Sequence, residues 1–255
     1  MEFLLAGASS LGVSLDDSQR RKFTRYYQEL IAWNRRMNLT SVTGWQAVQV
    51  VHFLDSLTVS RVLNPSVLSN GSLLDLGSGA GFPGLPLKIA FPGLCVSVLE
   101  ARGKRAAFLR HLTGVLELTD VTVYQGRAED LSRTIELRES FDVVVSRAVA
   151  TVAVVAELGL PFLRLGGQLI TQKKGDITGE LVEASVPLSV LGGGPLYINW
   201  VELAELEDQR VLVVVEKIMP TPDLYPRRAG IPQKRPIRSR ANSENVRKPR
   251  ARQGT

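Results

Sequence analysis

A glycine-rich turn after a short apolar run is the feature that most constrains the fold of this 255-residue chain. The run Leu73–Leu76, interrupted by Asp75, is typical of a strand that is covered on both faces. Gly77, Gly79 and Gly81 follow it, and they permit the tight backbone, partly with positive φ, that lets a ligand approach the main chain. The pattern predicts an α/β fold that holds a cofactor at the end of a strand.

Two cofactor classes fit this turn. Residues 79–84 match the GxGxxG dinucleotide fingerprint, and Glu100 ends the next apolar run, 94–99, where an acid would meet a ribose diol. A dinucleotide needs a helix N-terminus at its pyrophosphate, whereas S-adenosylmethionine carries an amino acid whose charged ends need an acid and backbone groups. Asp75 favours S-adenosylmethionine. The competing interpretation is that Asp75 only orders the loop and Glu100 only caps a strand.

Strands alternate with helices after Pro65. Strands are predicted near residues 72–76, 94–99, 121–124, 142–146 and 167–172, with amphipathic stretches such as 104–114 between them, as in an open parallel sheet. Two further strands, 197–203 and 210–218, are joined by a short polar segment and so predict an antiparallel hairpin. This mostly parallel α/β sheet ending in a hairpin resembles the class I, Rossmann-like methyltransferase fold and departs from the nicotinamide Rossmann fold.

Two predicted helices precede the sheet. Residues 16–37 carry apolar side chains at helical spacing, with Asp16 or Asp17 as the N-cap, and a second helix is predicted over 46–63. We therefore predict an N-terminal helical cap over residues 1–65, a methyltransferase domain over 66–220 and a C-terminal arm over 221–255. Trp33 and Trp45 are interpreted as core residues, and His52 as a packing histidine rather than a catalyst.

Basic charge is concentrated in the arm. The formal net charge of the chain is +6, but residues 227–255 contain ten Lys or Arg residues and one acid, Glu244. Such a segment, poor in apolar residues and interrupted by prolines, is expected to be extended, and disordered after about residue 238. Its expected partner is a polyphosphate backbone, with an affinity that falls steeply as salt rises. A solubilising tail without a specific partner is the alternative.

Several protein classes are disfavoured by composition. No apolar run approaches the roughly 18 residues of a membrane helix, and the N-terminus lacks the basic start and apolar core of a signal peptide. The single cysteine, Cys95, is expected to be buried in a strand. A cytoplasmic monomer without membrane contact is therefore expected. No metal site is expected, because no cysteine or carboxylate cluster has ligand spacing.

Six motifs in order resemble those of the glucose-inhibited division protein B family across residues 15–237. They are YQELIAWNRRMNLT at 27–40, HFLDS at 52–56, LDLGSGAGFPG at 74–84, RAE at 127–129, SRA at 146–148 and YPRRAGIP at 225–232. Members of that family are bacterial 16S ribosomal RNA guanine-N7 methyltransferases. The resemblance implies methyl transfer from S-adenosylmethionine to N7 of a guanine in 16S ribosomal RNA, as naked RNA or in the small subunit.

The resemblance also implies a set of site residues at the carboxyl ends of the strands. The expected cofactor residues fall into three groups. Asp75, the acid before the glycines, lies with Gly77, Phe82, Glu100, Ala101 and Arg102 around the turn and the ribose. Ala128 and Glu129 lie at the adenine, and Arg147 is the last member. Arg147 closes the site and is the catalytic candidate. The expected RNA contacts are Lys173, Arg227, Arg228, Lys234 and Arg235. The alternatives are an ion pair for Arg147, a helix cap for Glu129 and simple exposure for Lys173.

The absence of two catalytic motifs limits the kinds of methylation that this sequence predicts. Methylation of a pyrimidine at carbon 5 normally requires a cysteine nucleophile, and Cys95 lies in the strand before Glu100, which disfavours this reaction. Methylation of an exocyclic amine commonly uses an Asn/Asp-Pro-Pro-aromatic turn to hold the nitrogen. This chain has the sequence VSRA at that place, residues 145–148, so a ring nitrogen fits better. Guanine N7 has an in-plane lone pair and needs no general base, so catalysis is expected to be mainly orientation. The target should lie in a loop or be extruded from its stack.

Three other functions compete with RNA methylation as explanations of these sequence features. A nicotinamide-dependent oxidoreductase would explain the glycines and Glu100, but not the terminal hairpin or the basic arm. A noncatalytic RNA-binding protein would make Asp75 and Glu100 unnecessary. A small-molecule methyltransferase would not need the basic arm. Each therefore explains only part of the chain.

Overall fold

A single mixed sheet organises the chain in the computed structural model, which describes residues 1–206 and 209–238. Its strands are β1 (Ser72–Leu76), β2 (Cys95–Glu100), β3 (Val121–Gln125), β4 (Phe141–Arg147), β5 (Leu163–Lys174), β6 (Gly193–Val201) and β7 (Arg210–Lys217). They are arranged in the order β3-β2-β1-β4-β5-β7-β6, and β7 runs antiparallel to both of its neighbours. The predicted mostly parallel sheet with a terminal hairpin is therefore confirmed.

Helices cover both faces of the sheet. Their bounds are α1 (Glu2–Ser10), α2 (Asp17–Met37), α3 (Trp45–Val48), α4 (Asp55–Leu57), α5 (Pro65–Asn70), α6 (Gly84–Ala90), α7 (Gly103–Val115), α8 (Ala128–Leu131), α9 (Val152–Gly159), α10 (Thr178–Leu191) and α11 (Ile231–Lys234). Within the described ranges, none of these helices combines the length and the apolar character that a membrane crossing requires.

The strands alternate their side chains between two apolar cores. Val143 and Val145 of β4 belong to the core with Phe108 of α7, whereas Val144 belongs to the opposite core with Val155 of α9. This period of two is a property of any strand, and it explains why these runs are apolar throughout. Each fully buried aliphatic side chain contributes about 1.5–3 kcal/mol to the stability of the sheet.

The N-terminal helices share a core with the sheet. Helix α2 begins with a capping box in which Asp16 and Gln19 exchange side-chain and backbone hydrogen bonds, so Asp16 is the N-cap. Its buried side chains, including Phe23 and Leu30, join the same cluster as Leu85 of α6. The helical cap is thus continuous with the sheet's own packing, and the division at residue 65 stays a prediction.

The second predicted helix, residues 46–63, is helical over nearly its whole length, but only part of it is an α-helix. Between α3 and α4 the backbone forms a π-helical turn, Gln49–Leu54, and after α4 it tightens into a 3₁₀ turn, Thr58–Val62. π turns place side chains and carbonyls differently from an α-helix and often occur at functional sites. Here the wide turn contains Val51 and His52, both of which reach the site described below.

The C-terminal arm is fastened to the face that carries α8 and α9. Arg138 Nη2 donates to the carbonyl of Thr221 at 2.8 Å, and Gly230 N–H donates to Glu129 Oε1 at 2.8 Å. Arg227 forms a two-oxygen ion pair with buried Glu157, at 2.8 and 2.6 Å. Residues 221–230 are therefore attached to this face at several points, and the predictions for 239–255 fall outside the described residues.

One packing prediction is wrong. Cys95 was expected inside a strand and buried, but it is the first residue of β2 and its side chain is exposed. The burial of β2 begins one residue later, at Val96. The apolar run suggested a mid-strand position because Leu94, which precedes the strand, is itself buried.

Candidate active site

The glycine turn adopts the backbone that its sequence predicts. Gly77, Gly79 and Gly81 have φ values of 72°, 61° and 99°, in the left-handed region that favours glycine. A Cβ atom at Gly81 would lie 2.4 Å from Tyr26 Oη, and that hydroxyl donates to the carbonyl of Ala80 at 2.7 Å. The turn is therefore held against α2, while its glycines leave backbone open toward the cavity.

Asp75 lies beneath this turn. Its Oδ2 accepts from Ser78 Oγ at 2.6 Å and from Gly84 N–H at 2.9 Å, and burial raises the pKa of Asp75 from 3.8 to about 6. The carboxylate thus takes the first N–H of α6, where a dinucleotide would need its pyrophosphate. This geometry disfavours a nicotinamide site. Asp75 orders the loop through these contacts, and its predicted contact with the cofactor stays a prediction.

Glu100 joins the turn to the end of β2. Its Oε2 accepts from Gly79 N–H at 3.1 Å and its Oε1 from Arg102 N–H at 2.7 Å. Each carboxylate oxygen has capacity for a second donor, so both can still accept a hydroxyl hydrogen. Two adjacent acceptors in a fixed carboxylate match the vicinal hydroxyls of a ribose, and the donor set therefore fits the predicted cofactor.

A cavity of about 560 Å³ lies above these residues, within the usual size of a small-molecule site. It brings together six predicted cofactor residues, namely Gly77, Phe82, Glu100, Ala101, Arg102 and Arg147. Arg105 and Arg127 complete its basic rim. We call it the cofactor cavity.

The two residues predicted at the adenine occupy a different position. Ala128 and Glu129 begin α8, one residue beyond Arg127 of the cavity wall, and both are buried. Glu129 Oε1 accepts the N–H of Gly230, so its carboxylate anchors the C-terminal arm. The structure thus shows Glu129 as an anchor of the arm, and an adenine contact stays a prediction.

A second cavity, of about 520 Å³, adjoins the first at the ends of β4, β5 and β7. Three residues line both cavities: His52, Arg147 and Ala148. The remaining lining residues are Ser41, Val51, Asp55, Gln172, Lys173, Lys174 and Arg210. We call this the acceptor cavity, and we call the three residues that it shares with the cofactor cavity the shared wall.

Arg147 is held in that wall by an ion-pair network. Its Nη1 donates to Asp55 Oδ2 at 3.0 Å and to the carbonyl of Val51 at 3.1 Å, and Asp55 Oδ1 accepts from Arg210 Nε at 2.9 Å. Asp55 is buried, and its two carboxylate oxygens contact the guanidinium groups of both Arg147 and Arg210. The ion-pair alternative for Arg147 is therefore observed together with its place in the cavity wall.

His52 and Phe82 form the other side of the wall. Their rings stack with centroids 4.6 Å apart, and Arg147 Cζ lies 4.9 Å from the Phe82 centroid. His52 Nε2 is 2.7 Å from Thr40 Oγ1. Burial, followed by the charge of Arg147, lowers the pKa of His52 to about 4, so the ring is neutral near pH 7. His52 packs as predicted, and it also lines both cavities.

The predicted RNA-binding residues divide into two groups. Lys173 Nζ donates to Glu180 Oε2 at 2.7 Å and to the carbonyl of Ala150, and Arg227 is committed to Glu157, so both charges already have protein partners. Arg228, Lys234 and Arg235 are exposed on the arm. RNA binding stays a prediction for all five residues, and it is carried into the proposal below for the exposed group.

Sequence reasoning did not assign Asp55 and Arg210 to the site. Asp55 was present in the motif at residues 52–56, which was a usable signal. Arg210 begins β7 and gave no local signal, because its role depends on a contact 155 residues away in sequence. Gln172 was also missed, and within the described chain its buried Oε1 has no hydrogen-bond partner.

The fold and the cofactor cavity define a class I S-adenosylmethionine-dependent methyltransferase. Among solved structures, the chain is similar to a predicted O-methyltransferase from Agrobacterium tumefaciens, with a TM-score of 0.52 and 19% identity, covering 64% of this chain and 80% of that one. A family model described as GidB, rRNA small subunit methyltransferase G, matches residues 19–207. The chain belongs to this family.

Curated relatives agree with this assignment. Proteins named Ribosomal RNA small subunit methyltransferase G are 49% identical in Dehalococcoides mccartyi strain BAV1, over 93% of this chain and 100% of the relative. They are 48% identical in Roseiflexus castenholzii, with 93% and 100% coverage, and 44% identical in Chloroflexus aggregans, with 92% and 97% coverage. The oxidoreductase and noncatalytic alternatives are therefore not supported.

Proposed function

We propose that this enzyme transfers a methyl group from S-adenosylmethionine to N7 of a guanine in 16S ribosomal RNA of the small subunit. The family membership and the relatives' names support the RNA class. The observation that carries the proposal further is the adjoining acceptor cavity, which shares His52, Arg147 and Ala148 with the cofactor cavity. We infer that a base bound there presents its edge to the cofactor at the boundary that these three residues form.

The charge of the acceptor cavity suits a nucleotide. Its lining includes four basic side chains, Arg147, Lys173, Lys174 and Arg210, and one acid, Asp55. Exposed Arg228, Lys234 and Arg235 extend the basic surface along the arm. Arg147 and Arg210 contact Asp55 and Lys173 contacts Glu180, so the proposed phosphate contacts fall to the exposed cations of the arm, where counterion release makes affinity dependent on salt.

The chemistry requires orientation rather than proton transfer. S-adenosylmethionine supplies a methyl group on a positively charged sulfur. The N7 lone pair forms the new N–C bond, the electrons of the broken C–S bond remain on sulfur, and the positive charge passes to the base. No proton moves, so a neutral His52 and an ion-paired Arg147 are compatible with catalysis by positioning in a water-poor cavity.

We propose that the enzyme is a monomer and that it acts where ribosomes are assembled, in the cytoplasm. Size-exclusion chromatography with light scattering tests the first part. A stable dimer whose separation abolished methyl transfer would contradict it.

Methyl transfer from labelled S-adenosylmethionine tests the central proposal. Acceptors are 16S ribosomal RNA and small subunits from cells that lack the enzyme, and the labelled nucleoside is then identified. We expect 7-methylguanosine with the wild type, and loss of label with Glu100→Ala, because Glu100 organises the turn and offers both ribose acceptors. Glu183→Ala, on the exposed face of α10, is the matched control and should retain activity.

Two results would change the assignment. Label on another atom or base would retain the cofactor site and reject guanine N7. Cofactor binding without transfer to either RNA substrate, but with transfer to a small molecule, would mean that the acceptor class is wrong.

A further inference from the structure

Arg147 has an unused hydrogen-bonding edge at the boundary between the two cavities. Both hydrogens of Nη1 are engaged, one by Asp55 Oδ2 and one by the carbonyl of Val51. Within the described chain, Nη2 has one polar neighbour, His52 Nδ1, at a long 3.4 Å. The side chain is 16% exposed, and it lines both cavities. A donor therefore remains for a ligand atom placed at this boundary.

The position of that donor is fixed from three sides. Asp55 and Val51 hold Nη1, and the guanidinium lies over the Phe82 ring. Phe82 is itself stacked between His52 and Tyr26, with centroid distances of 4.6 and 5.3 Å. A donor held in this way loses little conformational freedom when it binds a ligand, so it can discriminate between ligands that differ by one acceptor.

The Hoogsteen edge of guanine presents N7 and O6 side by side as two acceptors, whereas adenine presents N7 beside an amino donor. A base whose N7 faces the cofactor cavity must therefore place its 6-substituent near the same wall. We propose that Arg147 donates from Nη2 to O6 of the target guanine, and so selects guanine over adenine. This inference rests on the proposed function, because it assumes that N7 is the methyl acceptor.

The charge around Arg147 is compatible with this role. Methylation moves a positive charge from sulfur to the base, and a bare guanidinium beside that base would oppose the transfer. Asp55 lies 3.0 Å from Arg147 and 2.9 Å from Arg210, so its negative charge offsets part of the positive charge at the boundary. Arg147 thus serves as a directional donor. A bidentate contact is not required, because Nη1 is already occupied.

The test combines a change in the base with a change in the protein. The target guanosine, mapped in the transfer experiment above, is replaced within ligated 16S ribosomal RNA by inosine, which keeps O6, or by 2-aminopurine riboside, which lacks it. With the wild type we expect inosine within about threefold of guanosine, and 2-aminopurine reduced about 10- to 100-fold in kcat/KM, as for loss of a hydrogen bond to a charged donor.

Arg147→Met should remove this preference. The ratio of guanosine to 2-aminopurine should fall to within about threefold, because the partner of O6 is gone. Arg105→Met is the matched control, since Arg105 lines only the cofactor cavity, and it should keep the wild-type ratio. Arg147→Lys retains the charge and provides a second variant if the methionine variant is too slow.

A guanosine preference that persists at 10-fold or more in both Arg147 variants would overturn the inference. The proposed function would survive that result, because transfer to N7 is measured separately as 7-methylguanosine. Cofactor binding by calorimetry, measured for every variant, identifies those that are folded with an intact cofactor cavity.

Discussion

The cofactor cavity and the acceptor cavity are built in different ways. The floor of the cofactor cavity comes from two short segments, residues 77–82 and 100–102, whose backbones hold each other through Glu100. The acceptor cavity is assembled from side chains of four distant regions, which contribute Asp55, Arg147, Gln172 and Arg210. A local turn can be recognised as a motif, whereas an ion-pair network depends on the completed sheet.

The largest effect expected from this difference is at Asp55. Asp55→Ala removes the acceptor shared by Arg147 and Arg210 and leaves two cations without their common carboxylate. We expect the free energy of unfolding to fall by about 3–5 kcal/mol, as when one member of a buried ion pair is deleted. Denaturant unfolding measures this loss, and Asp55→Asn, which keeps the shape, is the control.

The same variant separates the two cavities. In the folded fraction of Asp55→Ala, methyl transfer should be lost while S-adenosylmethionine binds with an affinity close to that of the wild type, because Asp55 lines only the acceptor cavity. A variant as stable as the wild type, or one that loses cofactor binding first, would show that the cavities are not energetically distinct.

The contrast also explains which parts of the site could be predicted. Gly77, Phe82 and Glu100 line one cavity, as expected where strand, glycine turn and acid follow each other at fixed spacing, and their contact with the cofactor stays a prediction. Arg227 was predicted to hold an RNA phosphate because it lies in the basic arm, and that contact stays a prediction. Its partner, Glu157, lies in α9, and nothing in the local sequence shows that the pair is formed.

A second prediction concerns Asp75 and pH. Burial raises the pKa of Asp75 to about 6 in the folded state, so between pH 4 and 6 the folded protein holds a proton that the unfolded chain has released. Stability from this group is therefore present at low pH and is lost as pH rises through 6. Relative to Asp75→Asn, the wild type should lose about 2.4 kcal/mol between pH 4 and 7.

Unfolding free energies of both proteins at pH 4, 5, 6 and 7 provide the measurement. Asparagine retains an oxygen that can accept from Ser78 and Gly84, so the variant preserves the loop contacts while it removes the titration. Parallel stability curves across this range would mean that Asp75 ionises normally and that the turn is more open to water than the structure indicates.

Two adjacent arginines on the arm differ in whether they have a buried partner. Arg227 is paired with buried Glu157, whereas Arg228 is exposed. We expect Arg227→Met to lower the free energy of unfolding by about 2 kcal/mol, less than for a fully buried pair because Arg227 is 26% exposed. Arg228→Met should leave stability within about 0.5 kcal/mol and reduce the salt slope of RNA binding by about 1.

Filter binding at several salt concentrations and thermal unfolding distinguish the two outcomes. Equal effects of the two substitutions on RNA affinity, without a loss of stability for Arg227→Met, would return Arg227 to the RNA-binding surface that its sequence context suggested.

The smallest expected effect is at His52, which belongs to both cavities. His52→Phe keeps a ring against Phe82 and removes the nitrogen atoms that contact Thr40 and face Arg147. Loss of about 1 kcal/mol of hydrogen bonding should lower kcat/KM for RNA about fivefold, with cofactor affinity unchanged.

The pH dependence of the two proteins tests whether His52 changes charge. Burial lowers the pKa of His52 to about 4, so nearly all of the imidazole is neutral at pH 6, and it is protonated only as the pH falls further. Wild type and variant should therefore give pH profiles of the same shape between pH 6 and 8. An inflection near pH 6.5 in the wild type alone would instead show that His52 changes charge during turnover, and the shared wall would then take part in proton transfer rather than only in positioning.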